Sequence, residues 1–145
     1  MSRQQKIIPP VKGTGLASLY TARGAAFGDL FNDGHVDIVV ENLDGKPMIL
    51  REEGGNHNHW IGFELAGTKS NRLALNARIK AVAGDLIQID EVRSGGSYLS
   101  QNDLRIHFGL GSHGRLDRVD ILWPSGKRKA TGMPLLTRCG VSEAC

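Results

Sequence analysis

The chain is poor in cysteine, in aromatic residues and in long apolar runs. Its two cysteines, Cys139 and Cys145, stand within the last seven of 145 residues, so no disulfide framework staples a core. A bridge between them would close a very small loop and constrain little, which leaves cross-linking of the tail as their functional alternative. Aromatic residues make up 6% of the chain. Apart from Lys127-Arg128-Lys129 the basic residues are scattered and have no aromatics between them, the pattern of a solvated surface and not of a nucleic-acid groove. No stretch approaches the length of a membrane span. The start, MSRQQKIIPPVKG, has basic residues but no apolar run, so a signal peptide is not expected.

What the chain has in quantity is glycine, 19 residues, together with 40% hydrophobic residues, enough for many tight turns around a packed core. The net charge of +3 is uneven: residues 1 to 55 hold six Lys+Arg against seven Asp+Glu, and residues 56 to 145 hold twelve against eight. Apolar residues recur at every second position in several short runs, the period of a strand with one buried face. Ile61, Phe63 and Leu65 form one such run and Ala77, Ile79 and Ala81 another. Gly84-Asp85 turns the second into Ile87 and Ile89, which reads as a direct hairpin. Leu104, Ile106 and Phe108 lead to Gly109 and Gly111, and Val119, Ile121 and Trp123 lead to Pro124-Ser125-Gly126. The closeness of these last two runs predicts that they pair. The expected core is Ile61, Phe63, Leu65, Ile79, Ile87, Ile89, Leu104, Ile106, Phe108, Val119, Ile121 and Trp123. No helix pattern is present, so the fold class is all-β, an antiparallel β-sandwich or small barrel.

Residues 1–22, with Pro9-Pro10, Gly13 and Gly15, read as a mobile lead-in. Residues 23–55 read as a short hairpin repeat: Ala25 to Phe27, a charged turn from Asp29 to Gly34, then Val36, Ile38 and Val40, the turn NLDG at 42–45, and a third strand from Pro47 to Arg51. Gly54 to Asn58 is the expected boundary with the strands that follow.

The segments GGSYLSQND, HFGLG and VDILWPSGK, between Gly95 and Lys127, resemble the ASPIC/UnbV domain, and so do EVR at 91–93, NHW at 58–60 and GTKSNR at 67–72. AFGDLFNDGHVDIVV at 26–40 looks like an FG-GAP (VCBS-like) repeat. The resemblance implies an ASPIC/UnbV-like β domain over residues 56–129 behind a propeller-blade-like hairpin, with an extracellular or periplasmic location. Because such proteins are usually exported, it also implies that this chain is a piece of a longer protein or a truncated gene. Two departures stand out. NRLALNAR at 71–78 places Leu73 and Asn76 where the family has an acid and a glycine. Residues 130–145 show no further alternating strand, which predicts an irregular tail and an open sheet edge.

The sharpest chemical signal is DLFNDGHVD at 29–37. Calcium takes several hard oxygens from a short loop, and Asp29, Asp33 and Asp37 with Gly34 at the turn and the His35 carbonyl would supply them. Phe31 stands where a ligand is expected, so the expected cofactor is weakly held calcium, with a polar hairpin loop braced by its own Asn and Asp side chains as the alternative. His57-Asn58-His59 is the best histidine pair for a metal, but spacing offers no third ligand. Gly109 to Gly114 matches GxGxxG, yet a strand follows where a helix should open. Ser97 lies outside any nucleophile elbow. The loop from Ser94 to Asp103 offers Tyr98 as a stacking face and Ser100, Gln101, Asn102 and Asp103 as hydrogen-bonding groups for a sugar or polar peptide. The alternative there is structural, with Tyr98 and Leu99 packed inward.

These features predict a non-catalytic binding or adhesion module of an exported protein, acting on a protein or glycan surface, with further propeller blades or a neighbouring domain as partner and no nucleic acid. A carbohydrate-binding module centred on the Ser94 to Asp103 loop is the second expectation, and an enzyme of unknown type the third.

Overall fold

The structure is a computed structural model that describes residues 15, 21–53, 57–96, 98–133 and 138–143. Most of the expected lead-in, part of the 54–58 boundary, Ser97 and Cys145 lie outside these residues. Ten strands and no α-helix are present among the described residues, and no helix there is long and apolar enough to cross a membrane.

The N-terminal strands form an antiparallel meander of β1 (Ala22–Gly28), β2 (Asp37–Asn42) and β3 (Met48–Leu50). Phe27 stands opposite Ile38, and Ile38 opposite Leu50. The remaining strands are β4 (His59–Ala66), β5 (Arg78–Ala83), β6 (Leu86–Glu91), β7 (Ile106–Gly111), β8 (Leu116–Leu122), β9 (Arg128–Met133) and β10 (Arg138–Ser142). They build two sheets, ordered β10-β4-β7 and β6-β5-β8-β9. Ile61, Phe63, Phe108 and Val141 from the first sheet and Ile79, Val119, Ile121 and Trp123 beside the second are all buried in one cluster. The domain is therefore a sandwich and closes into no barrel.

Several expectations are corrected. The runs at 104–108 and 119–123 do not pair, because β7 bonds to β4 and β8 to β5 and β9. Both runs present an apolar face to the same core, and the intervening turn, with Gly111 at φ 58°, carries the chain from one sheet across to the other. Ile87 and Ile89 lie outside the core, at 57% and 58% exposure. The two-residue Gly84-Asp85 turn sets Ala83 opposite Leu86 and Val82 opposite Ile87; with Ala83 in the core, Ile87 must face out. The tail is not irregular: β9 runs on to Met133 and β10 follows. Cys139 is a buried free thiol on β10, and its burial pushes its pKa up. Because β10 lies parallel along β4 from Gly62 to Ala66, the edge expected to be open is covered. Leu104 is only partly buried against the core. Leu73 is exposed, and Asn76 adopts the left-handed backbone, φ 68°, that a glycine would take there.

Candidate functional site

The loop expected to bind a ligand is spent largely on joining the two halves of the molecule. β1 is an edge strand, so its outward backbone groups need partners. Ser100 Oγ accepts the Ala25 N–H at 3.0 Å, Asn102 Oδ1 accepts the Phe27 N–H at 3.1 Å, and the Asp103 N–H donates to the Phe27 carbonyl at 2.9 Å. Side chains here take the place of a fourth strand. The approach is close enough that a Cβ on Gly28 would meet Asp103 Cβ at 2.9 Å. Gln101 is turned onto its own loop, accepting from the Gly95 N–H at 3.0 Å. Tyr98 and Leu99 do not pack inward: they are 70% and 78% exposed. Of the five expected ligand contacts, only Tyr98 keeps its side chain out of this scaffolding, while its carbonyl accepts the Ser100 hydroxyl at 2.9 Å.

The Asp29–Asp37 loop is braced in a similar way. Both oxygens of buried Asp29 accept loop amides, from Asp33 at 2.9 Å and Gly34 at 3.2 Å. Those of Asp37 accept from Leu30 at 3.2 Å and Glu52 at 3.0 Å. Asp33 accepts from the His35 amide and from Arg51, each at 3.1 Å. The His35 amide first, then Arg51, holds the Asp33 carboxyl below the usual carboxylate range. Phe31, in place of a ligand, lies 4.2 Å beneath the Arg51 guanidinium. Among the described residues no three His, Cys, Asp or Glu side chains converge as a metal site.

Strand β7 and its approach hold the tip of this loop. Arg105 donates to Asn32 Oδ1 and to the Asp29 carbonyl, both at 2.7 Å, while Asp103, hydrogen-bonded to it, raises its pKa further. His107 Nε2 lies 2.8 Å from the Gly34 carbonyl, and its ring stacks on Trp60 with centroids 5.2 Å apart. Gly34, at φ 91°, sits so close to Trp60 that a Cβ would fall 1.9 Å from the indole Cε2. Any larger residue would force the loop or the indole to move.

Where the meander meets the sandwich, an open cleft of about 360 Å³ remains. Phe27 and Val36 line it from one side and Trp60 and His107 from another, with Asp90, Glu91, Arg93, Asn102, Asp103 and Arg105 as polar groups. Arg93 pairs with Glu91 at 2.9 Å and Arg105 with Asp103, so the cleft carries fixed charges of both signs. His57 and His59 are exposed elsewhere. The GxGxxG match spans the end of β7 and the turn to β8, with no helix for a pyrophosphate to cap.

One site was missed entirely. Glu143, just past β10, is 1% exposed, and its Oε2 accepts the N–H groups of Thr68, Lys69 and Ser70, each at 2.8 Å. Its Oε1 accepts the hydroxyls of Ser70 and Ser125. Burial pushes this carboxyl upward, but the Ser125 hydroxyl and the Ser70 and Thr68 amides outweigh it and hold the group well below the usual range. Three consecutive amides aimed at one oxygen make an anion nest. GTKS supplies its amides, but nothing local in the sequence names the carboxylate that fills it.

No curated protein matches the chain. Residues 67–135, from the nest-forming turn through β9, match the family model for ASPIC and UnbV, and the match leaves the β1–β3 meander outside it.

Proposed function

We propose that the chain is a non-catalytic binding module of an exported protein, and that it engages a polar protein surface through the seam between meander and sandwich. The seam cleft carries this reading: it is open, walled by aromatic and apolar groups, and fitted with charged side chains already fixed by pairing, the mixture that suits recognition. Its one lining histidine, His107, lies 2.8 Å from the Gly34 carbonyl and stacks on Trp60, so it braces one wall of the cleft. The meander is read as an FG-GAP-like blade whose outer side takes a neighbouring blade or domain. Its loop holds calcium no more tightly than about millimolar, the range of extracellular modules, since each carboxylate oxygen already accepts an N–H.

A second reading, glycan binding, is favoured by one observation, the 70% exposure of Tyr98, which leaves a ring face free to stack on a sugar. Probing arrays of glycans and of secreted-protein ectodomains with the full chain separates the two. Protein ligands lost on Arg93→Glu and kept on Tyr98→Ala support the seam; glycan ligands with the reverse dependence support the second reading. Ligands indifferent to both substitutions contradict both.

A further inference from the structure

The Glu143 nest stands apart from the seam cleft and is built from elements the proposed function does not use. It lies at one end of a docking track. Along the track β10 pairs in parallel with β4, Gly140 opposite Glu64 and Val141 opposite Leu65. Cys139 and Val141 point into the core from alternate positions, the Glu143 N–H donates to the Ala66 carbonyl at 3.0 Å, and the Glu143 side chain then enters the nest. Lys127 Nζ closes the end by donating to the Glu143 carbonyl at 2.6 Å. Backbone pairing gives adhesion, alternate apolar residues give register, and a carboxylate captured by backbone amides gives direction, which together are the parts of a strand-addition receptor. Among the described residues β4 is the only strand with which β10 pairs, so a six-residue segment carries all of the recognition.

We propose that the β4 edge and the Thr68–Ser70 nest form a strand-docking site for a short extended segment that ends in a carboxylate, filled in the isolated chain by its own β10 and in an assembly by β10 of a second copy. The partner's residues 138–143 would make the same ladder, bury the same two side chains and place the same carboxylate. Exchange therefore needs no new surface, the condition under which identical elements swap between copies. Within one chain the tether raises the effective concentration of β10, so exchange grows with protein concentration.

The test uses full chains with Cys145→Ser to remove a reactive thiol. Glu64 and Gly140 are opposed, both exposed, and a Cβ at Gly140 meets nothing within 4 Å, so cysteines at these places are tolerated. A chain carrying both Glu64→Cys and Gly140→Cys reports the cis register by an intramolecular disulfide. An equimolar mixture of two chains, each carrying one of the substitutions, reports exchange by a 64-to-140 disulfide identified by peptide mapping. The expected results are a cis bond in the double variant and a trans bond in the mixture. The trans bond should increase with concentration and fall at least fivefold when the Gly140→Cys chain also carries Glu143→Gln. A cis bond with no trans bond up to about millimolar protein overturns the exchange. A trans bond that ignores Glu143→Gln overturns the role of the nest, and absence of the cis bond overturns the docking register itself.

Discussion

Replacing Gly34 by Ala tests the seam at its tightest point. Three costs arise there. Alanine at φ 91° must enter a region that costs an L-residue roughly 1–2 kcal/mol. Its Cβ would also fall 1.9 Å from Trp60 Cε2, so loop or indole must move, at about 1–3 kcal/mol for overpacking. Displacing the Gly34 carbonyl from His107 adds about 1 kcal/mol. The sum is ~3–6 kcal/mol. Gly95 isolates the first cost, because its φ is 69° and nothing lies within 4 Å of a Cβ there; Gly95→Ala should lose only about 1 kcal/mol. Urea unfolding followed by tryptophan fluorescence suits the comparison, since Trp60 reports on the seam and Trp123 on the buried core. A gap below about 1 kcal/mol between the two variants would refute the packing of Gly34 on Trp60.

Three further outcomes follow from the core, the nest and the aspartate loop. Phe108, 4% exposed and edge-on to Phe63 at 6.1 Å, should cost roughly 3–5 kcal/mol as Ala, whereas Ile89→Thr on the outer face should stay within about 0.5 kcal/mol in the same unfolding assay. Because the folded Glu143 carboxyl lies below its ordinary value of 4.5, its ionisation stabilises the fold fully above that pH, and the contribution is lost as pH falls from there through the depressed folded value. The stability gap between the wild-type chain and Glu143→Gln, measured from pH 7 downward, should therefore hold steady to about 4.5 and then shrink; a gap that widens with acid contradicts the sign. Calorimetric titration should find calcium binding no tighter than about millimolar, strengthened by Phe31→Asp, and micromolar binding by the unsubstituted chain would show that the loop's oxygens rearrange around the ion.

Local pattern made the strands legible, and failed where the answer lay in a partner far along the chain. The alternation at 61–65, 79–81 and 119–123 fixed which side chains are buried, because each run has one apolar face. At Ile87 and Ile89 the same alternation misled, although the two-residue turn before them already determined the opposite face. Residues 138–143 offer only Cys139 and Val141 as apolar alternates, too few to announce a strand. The polar loop at 98–103 has the composition of a binding surface, but Ser100 and Asn102 find their partners on β1, 75 residues away, and no spacing rule reports that. Arg105 reaching Asn32 across 73 residues was invisible for the same reason.

The meander and the sandwich are joined where Ser100, Asn102 and Asp103 complete the edge of β1. Amide hydrogen exchange at Ala25 and Phe27 measures this directly, since their N–H partners are the side chains of Ser100 and Asn102 and not a strand. Both amides should be protected to a degree comparable to those within β2, with protection lost at Ala25 in Ser100→Ala and at Phe27 in Asn102→Ala while the β2 amides stay protected. Exchange of both at the rate of an open edge strand in the unsubstituted chain would contradict this joining.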